Sequence, residues 1–230
     1  MIQEAGRLLR VFVAPGEVFR EIREKPTWVL GFLLYWALGA VAAYLLLARV
    51  DFVEVLESRF AASGQQAPPN LEQSAGMAHG CAMVFSLIGP PIICLLIALV
   101  FMALRLFGGD FNFRQSLAIT VHGLMARTAA ALVSIPVILS RDHISAEEMK
   151  SGAFLFSNLG FLALENAAPW VSVLFMSVDV FTLATLVLLS IGYHVAGKVP
   201  RLRAFLFVFG IWLLVVAVQV GFAALPGLRR

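Results

Sequence analysis

The sequence predicts an all-α polytopic membrane protein, a helical bundle with five transmembrane helices and a cytoplasmic N-terminus. The sequence contains five long apolar stretches, each near or above the roughly 20 residues that a helix needs to cross about 30 Å of hydrocarbon. Composition agrees, because 60% of the residues are hydrophobic and 13% are charged, with a mean hydropathy of +0.90. A soluble globule of this composition would expose much apolar surface to water. The predicted spans cover residues 28–48, 80–107, 115–139, 170–195 and 204–225.

The distribution of lysine and arginine predicts the orientation. With the N-terminus in the cytoplasm, ten of these cations lie in inner segments and six in outer segments. Such an excess is typical of cytoplasmic loops, so we expect the C-terminus outside. The net charge of +3 follows from this loop bias and does not indicate a nucleic-acid partner.

Residues 1–26 form a cytoplasmic N-terminal arm in front of the transmembrane domain, residues 27–230. Two apolar clusters flank a break at Pro15-Gly16, with basic residues between them. Short basic amphipathic helices of this kind lie on an anionic leaflet with the apolar face down. Two interpretations stay open, a membrane anchor that orients the first span and a docking platform for a cytosolic partner. The residues predicted to face the membrane surface are Leu8, Phe12, Phe19 and Ile22, with the cations Arg20 and Arg23.

The two outer connections are long. Residues 51–79 begin as a charged amphipathic helix with Phe52 on its apolar side, and they continue as a polar loop at 63–70. The second connection contains Ser145-x-x-Glu148, a capping-box pattern that starts a helix. It is followed by apolar residues 153–164, which reach only about 18 Å as a helix, so we interpret them as an interfacial or re-entrant segment.

Arg127 and Asp179 are the charges that the sequence places deep in the predicted hydrocarbon. Arg127 lies about 18 Å from the cytoplasmic face and Asp179 about 13 Å from the opposite face, so their depths match. A lone charge at this depth is costly, which predicts an ion pair between them. The pair either holds two helices in register or forms an ion, proton or substrate site.

Other polar residues extend this prediction to an intramembrane polar site. Pro90-Pro91 frees backbone carbonyls near Ser86, and Gln219 lies about 9 Å from the outer face. Ser86, Arg127, Asp179 and Gln219 then line a polar cavity, whereas the alternative is an inert bundle. His122 and His194 are predicted to meet near the cytoplasmic end, where they either shuttle protons or only hydrogen-bond to neighbouring helices. No catalytic motif, metal-ligand spacing or cofactor signature is present in the sequence.

Two sequence motifs resemble a known family. The run Val13-Ala-Pro-Gly-Glu-Val-Phe-Arg-Glu-Ile-Arg-Glu-Lys-Pro-Thr-Trp28 and the run Phe107-Gly-Gly-Asp-Phe-Asn-Phe-Arg-Gln-Ser-Leu-Ala118 are similar to the opening and the third-span loop of bacterial members of the Yip-domain (Ypt-interacting protein) family. The resemblance implies five spans and a cytoplasmic N-terminus. Eukaryotic members bind Rab-type GTPases in vesicle traffic, but the bacteria-like features here argue against that role. Where the family often has a proline, this chain reads His122-Gly-Leu-Met-Ala-Arg127.

The sequence leaves three function classes. The resemblance favours a non-enzymatic membrane scaffold or interaction protein in a bacterial plasma (inner) membrane. The alternative is a small channel or transporter that uses Arg127 and Asp179, and an enzyme has no positive support. Expected partners are the lipid bilayer and either a second copy of the chain or other membrane proteins. Small residues in the first and third spans permit such packing.

Overall fold

The computed structural model describes residues 2–62, 64–151, 157–162 and 167–225. It confirms the predicted all-α membrane bundle. Short 3₁₀ helices follow α5, at Phe101–Phe107, and precede α9, at Leu159–Leu162. The α-helices in chain order are α1 (Ile2–Arg10), α2 (Pro15–Glu24), α3 (Val29–Leu47), α4 (Phe52–Ala62), α5 (Leu71–Val100), α6 (Phe113–Gly123), α7 (Met125–Leu139), α8 (Ala146–Ser151), α9 (Pro169–Ser177), α10 (Val180–Val195) and α11 (Arg201–Ala224).

Among the described residues, four helical segments are long and apolar enough to cross a membrane. They correspond to the first, second, third and fifth predicted spans, although the second begins earlier, at Leu71 instead of residue 80. The residues between 71 and 79, expected in the outer connection, therefore continue a helix. The four segments are Val29–Leu47, Leu71–Phe107, Phe113–Leu139 and Arg201–Ala224.

The fourth predicted span, 170–195, is not one continuous helix. Helix α9 ends at Ser177 and α10 begins at Val180, because Val178 has a non-helical backbone with φ −91° and ψ 88°. The backbone groups of residues 178 and 180 form hydrogen bonds with residues 157–159 instead of within a helix. The Leu159 N–H donates to the Val178 carbonyl at 3.2 Å and the Val180 N–H donates to the Ser157 carbonyl at 3.0 Å. Asp179, at the centre of this break, pairs in an antiparallel bridge with Asn158.

The chain divides into two compact units. The first unit contains Met1–Gly39, Gly89–Ala130 and Phe181–Leu214. Its core includes Phe19, Leu104, Ile119 and Tyr193, all fully buried. The second unit contains Ala40–Ile88, Ala131–Val180 and Val215–Arg230.

In the first unit, α6 and α10 approach closely at a glycine. A Cβ atom added to Gly192 would lie 2.6 Å from Cγ2 of Ile119 and 2.9 Å from Cε1 of Phe19. Such distances leave no room for a side chain. Gly192 thus allows α2, α6 and α10 to meet at one point.

The second unit has a small core around Val50, Ile138 and Ile144. Arg49 makes two hydrogen bonds beside this core. Its Nε donates to the Arg141 carbonyl at 2.9 Å, and its own carbonyl accepts from the Ile144 N–H at 2.9 Å. These bonds join the segment after α3 to the segment before α8.

Two local predictions in the second unit are confirmed. Helix α4 begins at Phe52 as expected. Ser145 and Glu148 form the capping box of α8, with the Glu148 N–H donating to Ser145 Oγ at 3.2 Å and the Ser145 N–H donating to Glu148 Oε2 at 3.1 Å. Of the predicted interfacial segment 153–164, only residues 157–162 lie within the described residues.

Candidate interaction site at the N-terminal arm

The arm folds as two helices on either side of the predicted break. Helix α1 ends at Arg10, and α2 begins with Pro15 at its first position. Proline is favoured there because that backbone N–H has no partner within a helix in any case. The sequence therefore determines the break between the two helices.

Three of the side chains that were predicted to face the membrane, Leu8, Phe19 and Ile22, pack against the protein instead. Leu8 is 5% exposed, and Phe19 and Ile22 are fully buried in the core of the first unit. Glycines make room for two of these side chains, because Phe19 lies against Gly192 and Leu8 lies against Gly31. Two other apolar side chains of the arm are exposed, Phe12 at 47% and Leu9 at 76%.

Ion pairs join α1 to α2. Arg7 Nε donates to Glu21 Oε2 at 2.8 Å, and Arg10 Nη1 donates to Glu21 Oε1 at 3.0 Å. Arg10 Nη2 also reaches Glu17 Oε2 at 3.2 Å. The hydrogen bond from Arg7 lowers the pKa of the Glu21 carboxyl below its ordinary value. One carboxylate thus receives two guanidinium groups, and the arm is a closed hairpin.

A charged cleft of about 420 Å³ opens beside these pairs. Both signs of charge line it, so it has no strong preference for a polyanion or a polycation. Its lining residues are Gly6, Arg7, Arg10, Glu21, Glu24 and Lys25.

Arg23 connects the arm to two distant loops. Its Nη2 donates to Asp110 Oδ2 at 3.0 Å, and its Nη1 donates to the Ala196 carbonyl at 2.6 Å. Lys198 Nζ lies 3.6 Å from the same Asp110 oxygen. The pKa of the Asp110 carboxyl is lowered, first by the hydrogen bond from Arg23 and then by the charge of Lys198. In the reverse direction, Gln115 Nε2 donates to the Arg23 carbonyl at 3.0 Å.

We call this set of contacts the arm junction, defined by Arg23, Asp110, Gln115, Ala196 and Lys198. The loop that contains Asp110 and the loop that contains Ala196 are joined to each other, because the Asp110 N–H donates to the Gly197 carbonyl at 2.8 Å. A capping box between Asn112 and Gln115 begins α6 at the same place. Gln115 therefore serves both the helix cap and the arm.

A buried polar cluster lies beneath the arm junction. The Tyr193 hydroxyl is 2.8 Å from Ser116 Oγ and 3.1 Å from Thr120 Oγ1. The Ser116 hydroxyl donates to the Ala98 carbonyl at 2.7 Å. The rings of Phe111 and Tyr193 are 5.4 Å apart between centroids. Buried hydroxyl groups are costly without partners, so these bonds fix the orientation of Tyr193 and the position of the loop residue Phe111.

The two motifs noted in the sequence are the parts that meet at the arm junction, Arg23 in one and Asp110 in the other. The family model described as the Yip1 domain matches residues 9–222. The chain belongs to the Yip1 domain family. No curated protein and no solved structure matches this Yip1 domain significantly. The family match confirms the resemblance to the Yip-domain family and, with the apolar helices, an integral membrane protein.

The predicted intramembrane residues of this Yip1 domain have separate surroundings. Arg127 is exposed and donates through Nη1 to Thr182 Oγ1 at 3.2 Å. The Ser86 hydroxyl donates to the Met83 carbonyl of its own helix at 2.7 Å. Gln219 is exposed, and Asp179 is buried at the break between α9 and α10. The ion pair of Arg127 with Asp179 and the polar cavity stay predictions.

The histidines also bond within their own helix or loop. His122 Nδ1 donates to the Ala118 carbonyl at 2.9 Å, and its fully buried Nε2 has no partner within the described residues. His194 Nδ1 donates to the Val199 carbonyl at 2.9 Å. Among the described ranges, no group of three His, Cys, Asp or Glu side chains is placed to hold a metal ion.

Sequence reasoning missed Asp110, Ala196 and Lys198 as site residues. Asp110 does lie within the second family-like motif, after Gly108-Gly109, and that position was the available signal. Gly108 has φ +93°, a conformation that favours glycine. No sequence feature pointed to the Ala196 carbonyl, because any residue can supply one.

Proposed function

We propose that this Yip1-family protein is a non-enzymatic membrane scaffold whose N-terminal arm binds a partner protein. The arm junction carries the proposal, because Arg23 joins the arm to two loops from distant parts of the sequence. A membrane anchor needs no such fixed geometry. A docking surface does, because ordering it beforehand reduces the entropy lost on binding.

The outward side of the arm has the chemistry of a polypeptide-binding surface. The charged cleft contains three cations and two acids, which suits a partner segment with both signs of charge. In the same arm, Leu9 and Val13 are 76% and 82% exposed. Apolar residues beside a charged rim are typical of protein interfaces. The partner is either a second copy of this chain or another protein of the same membrane.

The proposal includes the membrane in which the protein is located. The similarity of both motifs to bacterial members of the family supports a bacterial plasma membrane. The transport alternative depends on the predicted pairing of Arg127 with Asp179, and the contact that Arg127 makes to Thr182 gives it no added support. We therefore prefer the scaffold.

Site-specific photo-crosslinking in cells tests the proposal. A photoreactive amino acid replaces Glu17 or Glu24, which are exposed on the arm. Leu214, 60% exposed on a candidate span, is the control position. We expect a discrete protein adduct from the arm positions and lipid adducts from position 214. A band at twice the mass of the chain identifies a second copy as the partner.

The arm junction supplies the matched pair of variants. Arg23→Gln breaks the junction, whereas Arg20→Gln removes an exposed arginine from the same helix. The adduct should disappear in the first variant and persist in the second. An adduct that survives Arg23→Gln, or no protein adduct at any arm position, refutes the proposal.

A further inference from the structure

A groove of about 440 Å³ lies between α10 and α11 in the first unit. Its volume is within the range of small-molecule sites, roughly 300–1,000 Å³. The lining changes character along its length, with a basic end and an apolar wall. The lining residues are Val187, Ser190, Ile191 and His194 from α10, with Arg201, Leu202 and Phe205 from α11.

The basic end lies next to the loop that joins the two helices. His194 is one residue from the end of α10, and Arg201 is the first residue of α11. Val187 is seven residues before His194, which corresponds to about 10 Å along the helix axis. The groove therefore begins at two basic side chains and continues beside aliphatic and aromatic groups.

Arg201 differs from its neighbour Arg203 in having no polar contact of its own. Arg203 Nη1 donates to the Phe107 carbonyl at 3.1 Å. The Arg201 side chain is exposed and makes no hydrogen bond or ion pair to any residue in the described part of the chain. No carboxylate is among the residues that line the groove. The positive charge at its mouth is therefore not neutralised by the protein there.

His194 also lines the basic end of the groove, and one of its two ring nitrogens is not used in a hydrogen bond. Its Nδ1 donates to the Val199 carbonyl, and its Nε2 has no hydrogen bond among the described residues, so this nitrogen is open to a ligand. The Ser190 hydroxyl, which donates to the Leu186 carbonyl at 2.8 Å, still has lone pairs to accept a bond.

We propose that this groove binds one anionic phospholipid, with its phosphate at Arg201 and His194 and an acyl chain along Val187, Ile191 and Phe205. Helix α11 is a candidate membrane span, so its first residue stands at an end of the hydrocarbon, where lipid phosphates lie. Basic pockets between transmembrane helices bind anionic headgroups by this combination of charge and apolar wall. The proposal is independent of the partner-binding role of the arm.

The test is native mass spectrometry of the full chain in detergent, titrated with phosphatidylglycerol and, separately, phosphatidylcholine. We expect phosphatidylglycerol to bind with the higher affinity and with a stoichiometry of one. Arg201→Gln should weaken this binding about tenfold, because it removes a charge-assisted hydrogen bond. Arg105→Gln is the charge-matched control, since Arg105 is exposed and does not line the groove. It should leave the affinity within about twofold.

A steric pair of variants completes the test. Val187→Trp fills the groove from a residue that is 45% exposed, and Leu206→Trp places the same side chain at a 59% exposed position on α11 outside it. Only the first should lose phosphatidylglycerol. Size-exclusion profiles and thermal unfolding identify a misfolded variant, and Leu202→Trp, at a 68% exposed groove position, then replaces Val187→Trp. Equal effects of Arg201→Gln and Arg105→Gln, equal binding of both lipids, or unchanged binding in a folded groove variant would each overturn the proposal.

Discussion

Arg23 and Asp110 form an ion pair with 3.0 Å between Nη2 and Oδ2, although 87 positions separate them in the sequence. The arginine also donates to the Ala196 carbonyl, 173 positions away. One side chain of the arm thus contacts both loops at this end of the first unit. Any change in this contact should be detectable as a change in the mobility of the arm.

The first prediction concerns the attachment of the arm. Arg23→Gln should increase cleavage of the arm by a protease in detergent and lower the free energy of unfolding by about 1 kcal/mol or more, because the Ala196 carbonyl loses a charged donor. Arg20→Gln is the control, since Arg20 is exposed on the same helix. Equal cleavage rates for the two variants would show that Arg23 does not hold the arm.

The second prediction concerns pH. The folded-state pKa values of Glu21 and Asp110 are lowered, so the folded state binds fewer protons than the unfolded state over the acidic range. The stability that these carboxylates contribute is fully present above their ordinary pKa values of about 4. It is lost as the pH falls through the lower folded-state values.

The measurement compares the melting temperatures of the parent and Glu21→Gln at pH 7 and pH 3. The variant should be less stable at pH 7, and the difference should shrink at pH 3, because the stabilisation by this carboxylate is lost as the pH falls. Glu24→Gln, at an exposed position of the same helix, should differ little from the parent at either pH. A difference that is the same at both pH values contradicts the assignment.

The third prediction concerns the close approach at Gly192. Gly192→Ala should destabilise the protein by about 1–3 kcal/mol, because the new Cβ meets Ile119 and Phe19. Gly210→Ala should be neutral or slightly stabilising, since a Cβ atom there would meet nothing within 4 Å and alanine favours helix. Thermal unfolding in detergent compares the two. Similar melting temperatures would mean that α2 and α6 can move apart without cost.

The fourth prediction concerns topology. Five crossings require the interrupted segment from α9 to α10 to traverse the membrane along with the four long spans. Single cysteines at Gln3 and Gly227, in a chain whose Cys81 and Cys94 are replaced, should then be labelled by an impermeant reagent from opposite sides. Position 227 lies outside the described residues. Labelling from the same side would establish an even number of crossings.

The fifth prediction tests the sequence-based pair of Arg127 and Asp179. If the pair is structural, Asp179→Asn should lower the free energy of unfolding by about 3–5 kcal/mol, because Arg127 loses its counter-charge. A transport site predicts a stable Asp179→Asn protein that has lost flux in liposomes. Thermal stability in detergent and flux in vesicles, measured on the same variant, separate the two outcomes. The exchange Arg127→Asp with Asp179→Arg should recover part of a structural loss.

Apolar run length was enough to predict most of the helices. Crossing a bilayer requires about 20 apolar residues whatever the neighbours are, and Val29–Leu47 and Arg201–Ala224 follow this requirement closely. The break before Val180 could not be predicted in this way. It depends on backbone hydrogen bonds from residues 157–159, which the local sequence does not encode.

The arm shows a second limit of sequence reasoning. Its helices and its break at Pro15 follow from local chemistry. The spacing of Phe19 and Ile22 reveals an apolar face but not what covers that face, because lipid and protein are equally apolar. The covering residues come from helices later in the chain, and Gly192, against which Phe19 packs, is one of them.

The reach of Arg23 has a consequence for biosynthesis. The arm leaves the ribosome before the membrane segments, and the Ala196 carbonyl that it binds is made 173 residues after Arg23. The arm therefore stays undocked while the intervening apolar segments enter the bilayer. The arm can attach only after α10 has been made, so in a nascent chain that stalls earlier the arm is still undocked and open to proteases.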